Sequence, residues 1–296
     1  MLLRPVPPQM YHREPVPHDA DVSLRYLGTA GFVVEGAGRT VVIDPYVTRP
    51  GLWETAAKRL KPNRQLIHQL IPHADDVIIG HSHHDHVLDA PDLCIMTGAR
   101  FIGSPSACNV ARAGGVPEAQ IVETTGHRRI IAGDATICGI PSLHGKIYGG
   151  RIPLPGVIPV PPPWPPRYSE QRCGLVLNWH IEMAGMSVVH IDSADLIESH
   201  LQGYQADVLC LCAIGRRYRK DYARTAIEML KPRYVIACHW DWFFTDYHAE
   251  PLCLPGVNLP GFLKEISDAG ATPVVLPFEG RFGVNVARLR GQAAHH

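Results

Sequence analysis

The sequence predicts an α/β (α+β) protein folded as a four-layer αββα sandwich. Two observations point to this class. Short apolar runs alternate with turn residues and amphipathic stretches throughout, and they fall into two successive β-rich halves, each with its own helices. Two sheets packed face to face, with helices on the outside, would bury such a pattern. The sequence shows no internal repeat, and we interpret residues 1–296 as a single domain.

The first half opens with strands. Apolar alternation predicts three in succession, with the last two joined across a glycine-rich turn: Ser23–Leu27, Phe32–Glu35 and Thr40–Ile43. The further elements predicted for this half are helical sequence from about Trp53 to Leu70 on both sides of Pro62, a short buried strand at Val77–Gly80, a strand at Arg100–Gly103, a helix that Ser104-Pro105 begins and Gly114-Gly115 ends, and strands near Gln120–Glu123 and Thr136–Ile140.

The interval Gly149–Pro166 differs in kind, because its proline content excludes ordinary helix or sheet. A linker between domains is one interpretation. We favour an ordered insertion that covers a functional site, because apolar residues are interleaved where a linker would be polar: Ile152, Leu154, Val157, Ile158 and Trp164. A subunit interface would use the same residues, so the sequence leaves both lid and interface open.

The second half resumes the alternation of strands and helices. The predicted elements are a hairpin of Leu175–Ile181 and Ser187–Ile191 turning at Ala184-Gly185, a buried strand at Val208–Cys212, an amphipathic helix at Asp221–Leu230, a strand at Tyr234–Ala237, a helix from about Gly261 to Ala269 and a strand at Thr272–Leu276.

The overall charge is balanced, with 28 basic and 28 acidic residues. This argues against a dominant role on nucleic acid or on an anionic membrane, and we interpret the basic run Arg216–Lys220 as a solvated loop. Residues 1–20 hold no apolar run long enough for a signal peptide, and no segment approaches the roughly 18–20 apolar residues of a membrane helix. The eight cysteines are scattered, several in apolar runs, so we expect buried free thiols in a reducing cytoplasm.

The strongest functional signal is the segment GHSHHDHVLDA at 80–90, directly after an apolar run. Imidazoles packed this closely repel when protonated and cost desolvation when buried, so they need a shared partner, and a cation is the obvious one. In a loop leaving a strand, the alternate residues His81 and His83 can face one point while Asp85 and His86 turn toward a second. Neutral imidazole nitrogen and carboxylate oxygen suit zinc and similar first-row metals.

Further ligands are expected downstream, because four side chains cannot fill two metal sites. Three polar residues each close an apolar β-run: His144, Asp192 and His239. Asp195 is an alternative to Asp192, since both follow the same strand. His84 breaks the alternation of the motif. It is interpreted as pointing outward or as contacting the ligands without binding metal itself.

A few other residues receive supporting roles. Asp44, in Ile43-Asp44-Pro45, is expected to orient the metal-binding loop by hydrogen bonds rather than to bind metal. Trp240, Asp241 and Trp242 directly follow His239 and are assigned to the wall of the substrate pocket, with structural packing as the open alternative for the tryptophans. Trp164, from the proline-rich interval, is a further candidate for this wall.

These motifs resemble the metallo-β-lactamase superfamily. HSHHDH followed by a strand-end His, a strand-end Asp and a late strand-end His is similar to that superfamily in order and spacing, over nearly the whole chain. The opening YLGTAGFVVEGAGRTVVIDPY is similar to the branch that contains the L-ascorbate-6-phosphate lactonases and the N-acyl-phosphatidylethanolamine phospholipases D. The resemblance implies the αββα fold, with two metals at the shared edge of the sheets.

The resemblance also implies a ligand set. One metal would be held by His81, His83 and His144. The second would be held by Asp85, His86 and His239, with Asp192 bridging both. The superfamily usually shows Gly-Asp at the bridging position, whereas this chain has Ile191-Asp192, which is why Asp195 stays an alternative. We expect two zinc ions per chain, with manganese or iron open, because a His/Asp set is not selective by itself.

The implied activity is metal-dependent hydrolysis of a small molecule. Two divalent ions sharing a water lower its pKa toward neutrality, present a hydroxide nucleophile and polarise the bond that it attacks. We expect an ester, lactone or related bond as the target, with the catalytic Asp85 both ligating metal and relaying a proton to the leaving group. The sequence does not name the substrate, because loops around the metals set specificity.

Rival functions are weighed against this one. A phosphodiesterase or nuclease on the same fold is disfavoured by the neutral charge, and nucleic acid is therefore not an expected partner. A non-catalytic metal-binding protein is disfavoured by the complete ligand set. Redox chemistry is disfavoured because di-iron relatives place Glu where this chain has His83 and carry a flavin domain. The oligomeric state stays open, homo-oligomers included.

Overall fold

The computed structural model describes residues 3–293. Its strands are, in chain order, β1 Arg4–Pro5, β2 Val22–Gly28, β3 Gly31–Gly36, β4 Arg39–Ile43, β5 Asp76–Ile78, β6 Arg100–Gly103, β7 Ile121–Glu123, β8 Arg129–Ala132, β9 Ala135–Ser142, β10 Val176–Met183, β11 Met186–Ile191, β12 Val208–Cys212, β13 Tyr234–Cys238, β14 Leu252–Cys253, β15 Thr272–Val274 and β16 Arg281–Val284. Its α-helices are α1 Leu52–Ala57, α2 Arg64–Leu70, α3 His84–Val87, α4 Ala90–Thr97, α5 Pro105–Ala113, α6 Glu198–Leu201, α7 Tyr222–Leu230, α8 Leu259–Asp268 and α9 Val286–Ala293.

Two seven-stranded sheets carry the fold. Sheet 1 has the order β16-β2-β3-β4-β5-β6-β7, and sheet 2 has the order β15-β13-β12-β11-β10-β9-β8. Strands β4 to β7 are mutually parallel in sheet 1, and β11, β12, β13 and β15 are parallel in sheet 2. A small ribbon of β1 and β14 lies apart from both.

Strand periodicity separates the layers. In β3, Phe32 and Val34 belong to the large apolar core that both sheets share, whereas Val33 belongs to a second core beneath helices α2, α4 and α5. Successive side chains of a strand point to opposite faces, so this alternation buries both faces of sheet 1. On the far side, Ile227 of α7 and Phe262 of α8 pack onto sheet 2. The layers are therefore α, β, β and α, which confirms the predicted sandwich.

The predicted elements are present with shifts of a few residues at their ends, and the differences concern short segments. The strand predicted at Val77–Gly80 ends at Ile78. The histidine segment was predicted as a loop, but its second half, His84–Val87, is a turn of helix. Strands β1, β8, β14 and β16 and helices α4, α6 and α9 were not predicted. Helix α4 carries no clear amphipathic pattern, because most of its residues are buried.

The proline-rich interval is an ordered insertion that packs mainly against the helical layer of sheet 1. Ile158 is buried in the second core, and its backbone N–H donates to Ser106 of α5. Val157 is 66% exposed and Ile152 is 38% exposed. Only Pro153 of the interval lines the cavity over the histidine cluster described below. The expectation that its apolar residues line a substrate cleft is therefore wrong for all five named residues, because none of them lines this cavity.

The cysteines are all free, as predicted, and seven of the eight are buried. Burial raises the pKa of the Cys173 thiol to about 12, so this thiol is protonated at neutral pH. No helix within residues 3–293 is long and apolar enough to cross a membrane.

Candidate metal centre

The ends of several strands meet at one edge of the sandwich. Strand β5 leads into the segment His81–His86, and the residues His144, Asp192 and His239 follow the ends of β9, β11 and β13. Because β11 and β13 both run parallel to β12 between them, their carboxyl ends lie on the same side of sheet 2. The seven predicted ligands are thus brought together, and all are buried except the half-buried His144.

These side chains form three overlapping groups. Within each group, the candidate ligand atoms all lie within 4.8 Å of one another: His81, His83 and His144; Asp85, His86 and His239; and His81, His86 and Asp192. The first two groups match the two predicted sets of ligands. The third joins them through Asp192, the residue predicted to bridge.

Two of the histidines have their outer ring nitrogen fixed by a hydrogen bond. Nδ1 of His86 lies 2.9 Å from Oδ2 of Asp44, and Nδ1 of His144 lies 2.7 Å from the carbonyl oxygen of Gly145. With Nδ1 donating, Nε2 of each ring carries the free lone pair, and metal-binding histidines are commonly oriented in this way. The other oxygen of Asp44 accepts from the backbone N–H of Gly80 at 2.7 Å, which ties it to the start of the segment.

Gly80 is required by close packing at this position. A Cβ atom built there would lie 2.1 Å from Oδ2 of Asp192, far inside van der Waals contact. The same oxygen of Asp192 is 2.6 Å from Nδ1 of His81. The absent side chain of Gly80 therefore provides the space in which Asp192 approaches the histidines.

Burial keeps the histidines neutral. Together with the neighbouring imidazoles, whose contribution is smaller, it lowers the pKa of His81 to about 3 and that of His144 to about 4. The pKa values of His83 and His86 also lie well below the ordinary value, for the same two reasons. Neutral imidazoles have an open lone pair, so these side chains are in the protonation state that a metal requires.

Asp85 is ionised. Burial alone would raise the pKa of its carboxyl, but His86, His239 and His84 outweigh that effect and place it well below the ordinary value. Its Oδ2 lies 3.3 Å from Nε2 of His239 and 3.7 Å from Nε2 of His86. The carboxylate therefore faces the second group of ligands and also lines the cavity.

His84 does not point outward, which corrects that part of its interpretation. It is 3% exposed, it lines the cavity, and it belongs to none of the three groups. Its Nδ1 lies 3.5 Å from Oδ1 of Asp85, and its ring stands edge-on to Tyr46 and Tyr168. The helical turn of α3 causes this placement, since it rotates His84 inward between the aromatic rings.

The residues present fit a divalent cation. Nε2 of His83 and Oδ1 of Asp192 are buried without a hydrogen-bond partner, which is costly for polar atoms unless something else satisfies them. Burial raises the pKa of Asp192 to about 6, so its negative charge lacks a sufficient counter-charge within the protein. Unpaired acceptor atoms, neutral imidazoles and carboxylates together form a donor set suited to zinc, manganese or iron.

The geometry favours Asp192 over Asp195 for the bridging position. Asp192 is fully buried between His81 and His86. Asp195 instead pairs with Arg219 at 3.0 Å, and its Oδ1 accepts from the backbone N–H of Leu196. Asp195 is thus engaged away from the cluster.

A cavity of about 300 Å³ opens onto the cluster. The seven candidate ligands and His84 form its polar floor, while its walls are mainly apolar and aromatic: Ile147, Tyr168, Ile214, Trp242, Phe243 and Phe244. No lysine or arginine within the described residues lines it. The cavity therefore combines a charged floor with an uncharged, apolar wall.

Three of the four residues assigned to the wall, Trp164, Trp240 and Asp241, do not line the cavity. Trp240 is fully buried in the shared core and packs near Tyr11 and Tyr26, and Trp164 packs against the apolar clusters close to Gly114. Trp242, which was also assigned to the wall, does line the cavity, and Phe243 and Phe244 directly after it supply more of the wall. The position of these two phenylalanines shortly after His239 was the sequence signal that could have identified them.

An αββα sandwich with clustered histidines and aspartates at the strand ends defines the class of metallo-β-lactamase-fold proteins. The chain belongs to this superfamily, because the family described as "Beta-lactamase superfamily domain" matches residues 23–239. The closer resemblance to the lactonase and phospholipase D branch stays a prediction.

Named relatives agree with this assignment. A UPF0173 metal-dependent hydrolase of Pelotomaculum thermopropionicum is 26% identical over 230 residues, which cover 74% of this chain and 85% of that protein. A UPF0173 metal-dependent hydrolase of Pyrobaculum arsenaticum is 28% identical over 226 residues, covering 75% and 85%.

Solved structures show the same fold. Igni18, a metallo hydrolase of the archaeon Ignicoccus hospitalis, superposes with a TM-score of 0.62 at 21% identity, over 89% of this chain and 98% of that one. CmlA, a diiron β-hydroxylase of Streptomyces venezuelae, superposes with a TM-score of 0.59 at 16% identity, over 92% of this chain and 55% of that one. At such identities these structures bear on the fold alone.

Proposed function

We propose that the protein is a metal-dependent hydrolase that cleaves an uncharged ester, lactone or related bond in a small molecule with an apolar portion. The observation that carries this proposal is the position of the ligand cluster at the floor of an apolar cavity. Membership in the superfamily and the metal-dependent hydrolases among its relatives support the reaction class.

The proposed ligand roles follow the three groups of side chains. His81, His83 and His144 would hold one ion, and Asp85, His86 and His239 would hold a second, with Asp192 between them. When bound, a pair of divalent ions supplies an activated water and a Lewis acid for the bond under attack. We propose zinc as the native metal and two ions per chain.

Asp85 is proposed to move the proton. Its carboxylate is ionised, faces His239 and lies in the cavity floor, so it can accept a proton from the attacking water. The same carboxylate can then deliver the proton to the leaving oxygen. His84, beside it at 3.5 Å, keeps Oδ1 of Asp85 next to an imidazole rather than next to open solvent.

The cavity wall is proposed to select the substrate. Its aromatic side chains favour an apolar substituent, because burying apolar surface is worth roughly 25 cal/mol per Å². A phosphodiester would carry its negative charge past walls that hold no cation within the described residues. We therefore place neutral esters and lactones ahead of phosphodiesters.

The basic run Arg216–Lys220 gives little support to a nuclease. Arg216 pairs with Glu265 at 3.1 Å, and Arg219 pairs with both Asp195 and Glu198. Arginines that are already neutralised by carboxylates contribute weakly to phosphate binding, since those pairs would have to be broken first.

A substrate panel tests the proposal directly. Zinc-loaded protein would be assayed with p-nitrophenyl esters of increasing chain length, with alkyl-substituted γ-lactones and with bis(p-nitrophenyl) phosphate. We expect kcat/KM to rise with the apolar substituent in the first two series. Phe243→Ser should remove this dependence while leaving the zinc content unchanged. A preference for the phosphodiester, or no dependence on chain length, would contradict the proposed substrate class.

A further inference from the structure

A fully buried ion pair lies next to the candidate metal centre but outside its ligands. The side chains of Arg49 and Asp241 are each 0% exposed, and Nη2 of Arg49 donates to Oδ2 of Asp241. Oδ1 of Asp241 also accepts from the hydroxyl of Tyr26 at 2.6 Å and from the backbone N–H of Thr29 at 2.8 Å. We call these four residues the Arg49–Asp241 clasp.

The clasp connects the two sheets at the edge where the ligands meet. Thr29 lies in the turn between β2 and β3, and Arg49 follows β4, so both belong to sheet 1. Asp241 lies two residues after His239, beyond the end of β13 in sheet 2. The backbone N–H of His239 itself donates to the carbonyl oxygen of Thr29 at 2.5 Å. His239 therefore receives its position from a turn of the opposite sheet.

The backbone around the clasp is strained. Thr29, Arg49 and His239 have φ angles of +55°, +45° and +52°, a region that residues other than glycine rarely adopt. Such conformations persist only where the surroundings fix them, and they concentrate at functional sites. Gly28 shows how close the packing is, since a Cβ there would lie 2.8 Å from the Phe278 ring and 2.9 Å from Nη1 of Arg49.

Stability alone explains the clasp poorly. A buried ion pair is weak evidence for stabilisation, because desolvating both charges offsets their attraction. Nε and Nη1 of Arg49 have no hydrogen-bond partner, although the guanidinium stacks over Phe278 at 4.4 Å. A pair that leaves two buried donors unpaired is better explained by the position that it imposes on the chain.

We propose that the Arg49–Asp241 clasp positions His239 for metal binding in the group Asp85, His86 and His239. These four residues act as positioning residues, since none of them is among the candidate ligands. The inference rests on the proposed metal centre. It assigns a function to Gly28-Thr29-Ala30-Gly31, a glycine-containing turn that lacks the pattern of a nucleotide-binding loop.

Zinc titration of the metal-free protein tests the clasp. Asp241→Asn removes the charge and keeps the shape, and we expect it to weaken the second zinc site by about 10–100-fold while the first site is unchanged. Asp76→Asn is the matched control, because Asp76 is equally buried and ion-paired, with Arg39 and Arg100, at the opposite end of β5 from the histidines. It should lower thermal stability and leave both zinc affinities unchanged.

A milder variant distinguishes a loss of zinc affinity from misfolding. Tyr26→Phe removes one hydrogen bond to Asp241 and leaves the ion pair intact, so the second site should weaken less than in Asp241→Asn but in the same direction. If both variants bind the second zinc as tightly as the control does, the clasp is structural and the inference is overturned. If the wild-type protein itself has no second zinc site, the proposed centre fails and the clasp with it.

Discussion

The carboxylate of Asp44 joins Gly80, directly before the segment His81–His86, to His86 at the end of that segment. It accepts from the backbone N–H of Gly80 at 2.7 Å and lies 2.9 Å from Nδ1 of His86. Asp44 has a φ of +42°, a conformation that Asp and Asn tolerate better than most residues. This single side chain therefore sets both the start of the segment and the orientation of one ligand ring.

Asp44→Ala should lower zinc affinity more than Asp44→Asn. The Asn variant keeps a hydrogen-bond acceptor and the left-handed backbone, whereas the Ala variant loses both. Groups that orient metal ligands typically contribute 10–100-fold in metal affinity, and we expect about that loss for Ala. Competition with a chromophoric chelator would measure it. Equal affinities for both variants and the wild type would show that Asp44 does not orient His86.

His83→Ala and Asp85→Ala should abolish turnover while the fold is retained. The apolar core between the sheets does not include these side chains, so its packing is unaffected. The zinc content of His83→Ala should fall, whereas His84→Asn, which alters an equally buried neighbour outside the three groups, should keep it. Circular dichroism and elemental analysis would separate loss of metal from loss of fold. Retained turnover in either alanine variant would remove that residue from the mechanism.

Local sequence pattern was sufficient to predict most strands of the two sheets and to select the seven side chains that the structure brings together. The ligand positions followed from spacing, because a polar residue that closes a buried strand can point only toward the edge of the sheet. The orientation of His84 did not follow, since it depends on whether the segment continues as loop or helix. The loop interpretation placed it outward, and the turn α3 places it inward.

Residues that act through distant contacts were the hardest to predict. Asp241 was grouped with its neighbours as pocket wall, but its partners Arg49, Tyr26 and Thr29 lie about 190 to 215 positions away. The sequence analysis included Gly80 only as the first residue of the histidine motif and assigned it no role. Its function depends on Asp192, which a different sheet supplies. Such contacts arise from the packing of the two sheets and leave no periodic signal.

Gly80→Ala should therefore impair metal binding although no ligand is changed. The new methyl group would overlap Oδ2 of Asp192, so Asp192 must move away from His81 and His86. We expect reduced zinc stoichiometry and at least a tenfold loss of turnover. Gly291→Ala in α9 is the matched control, because a Cβ there meets nothing within 4 Å. Full zinc occupancy in Gly80→Ala would mean that Asp192 does not need its observed position.

Chelation should destabilise the protein without unfolding it. The core is apolar and independent of the ligands, so the metal-free chain is expected to keep its sheets. A ligand present at 100 times its Kd adds about 2.7 kcal/mol of stability, which corresponds to about 4 °C in Tm for a chain of 296 residues. Differential scanning calorimetry with and without chelator would measure the shift. Complete loss of the far-ultraviolet dichroism signal on chelation would show instead that the metal is required for folding.

The proline-rich interval offers a comparison of two adjacent residues. Ile158 is 5% exposed in the core beneath α5, whereas Val157 is 66% exposed. Ile158→Ala should reduce the free energy of unfolding by about 2–5 kcal/mol, as expected for removing a large buried side chain, and Val157→Ala should change it little. Neither should alter KM, because neither side chain lines the cavity. Chemical denaturation and kinetics on the ester series would test both points. A raised KM in Val157→Ala would show that the interval acts as a lid over the site. A change of oligomeric state in that variant would show that the interval is a subunit interface.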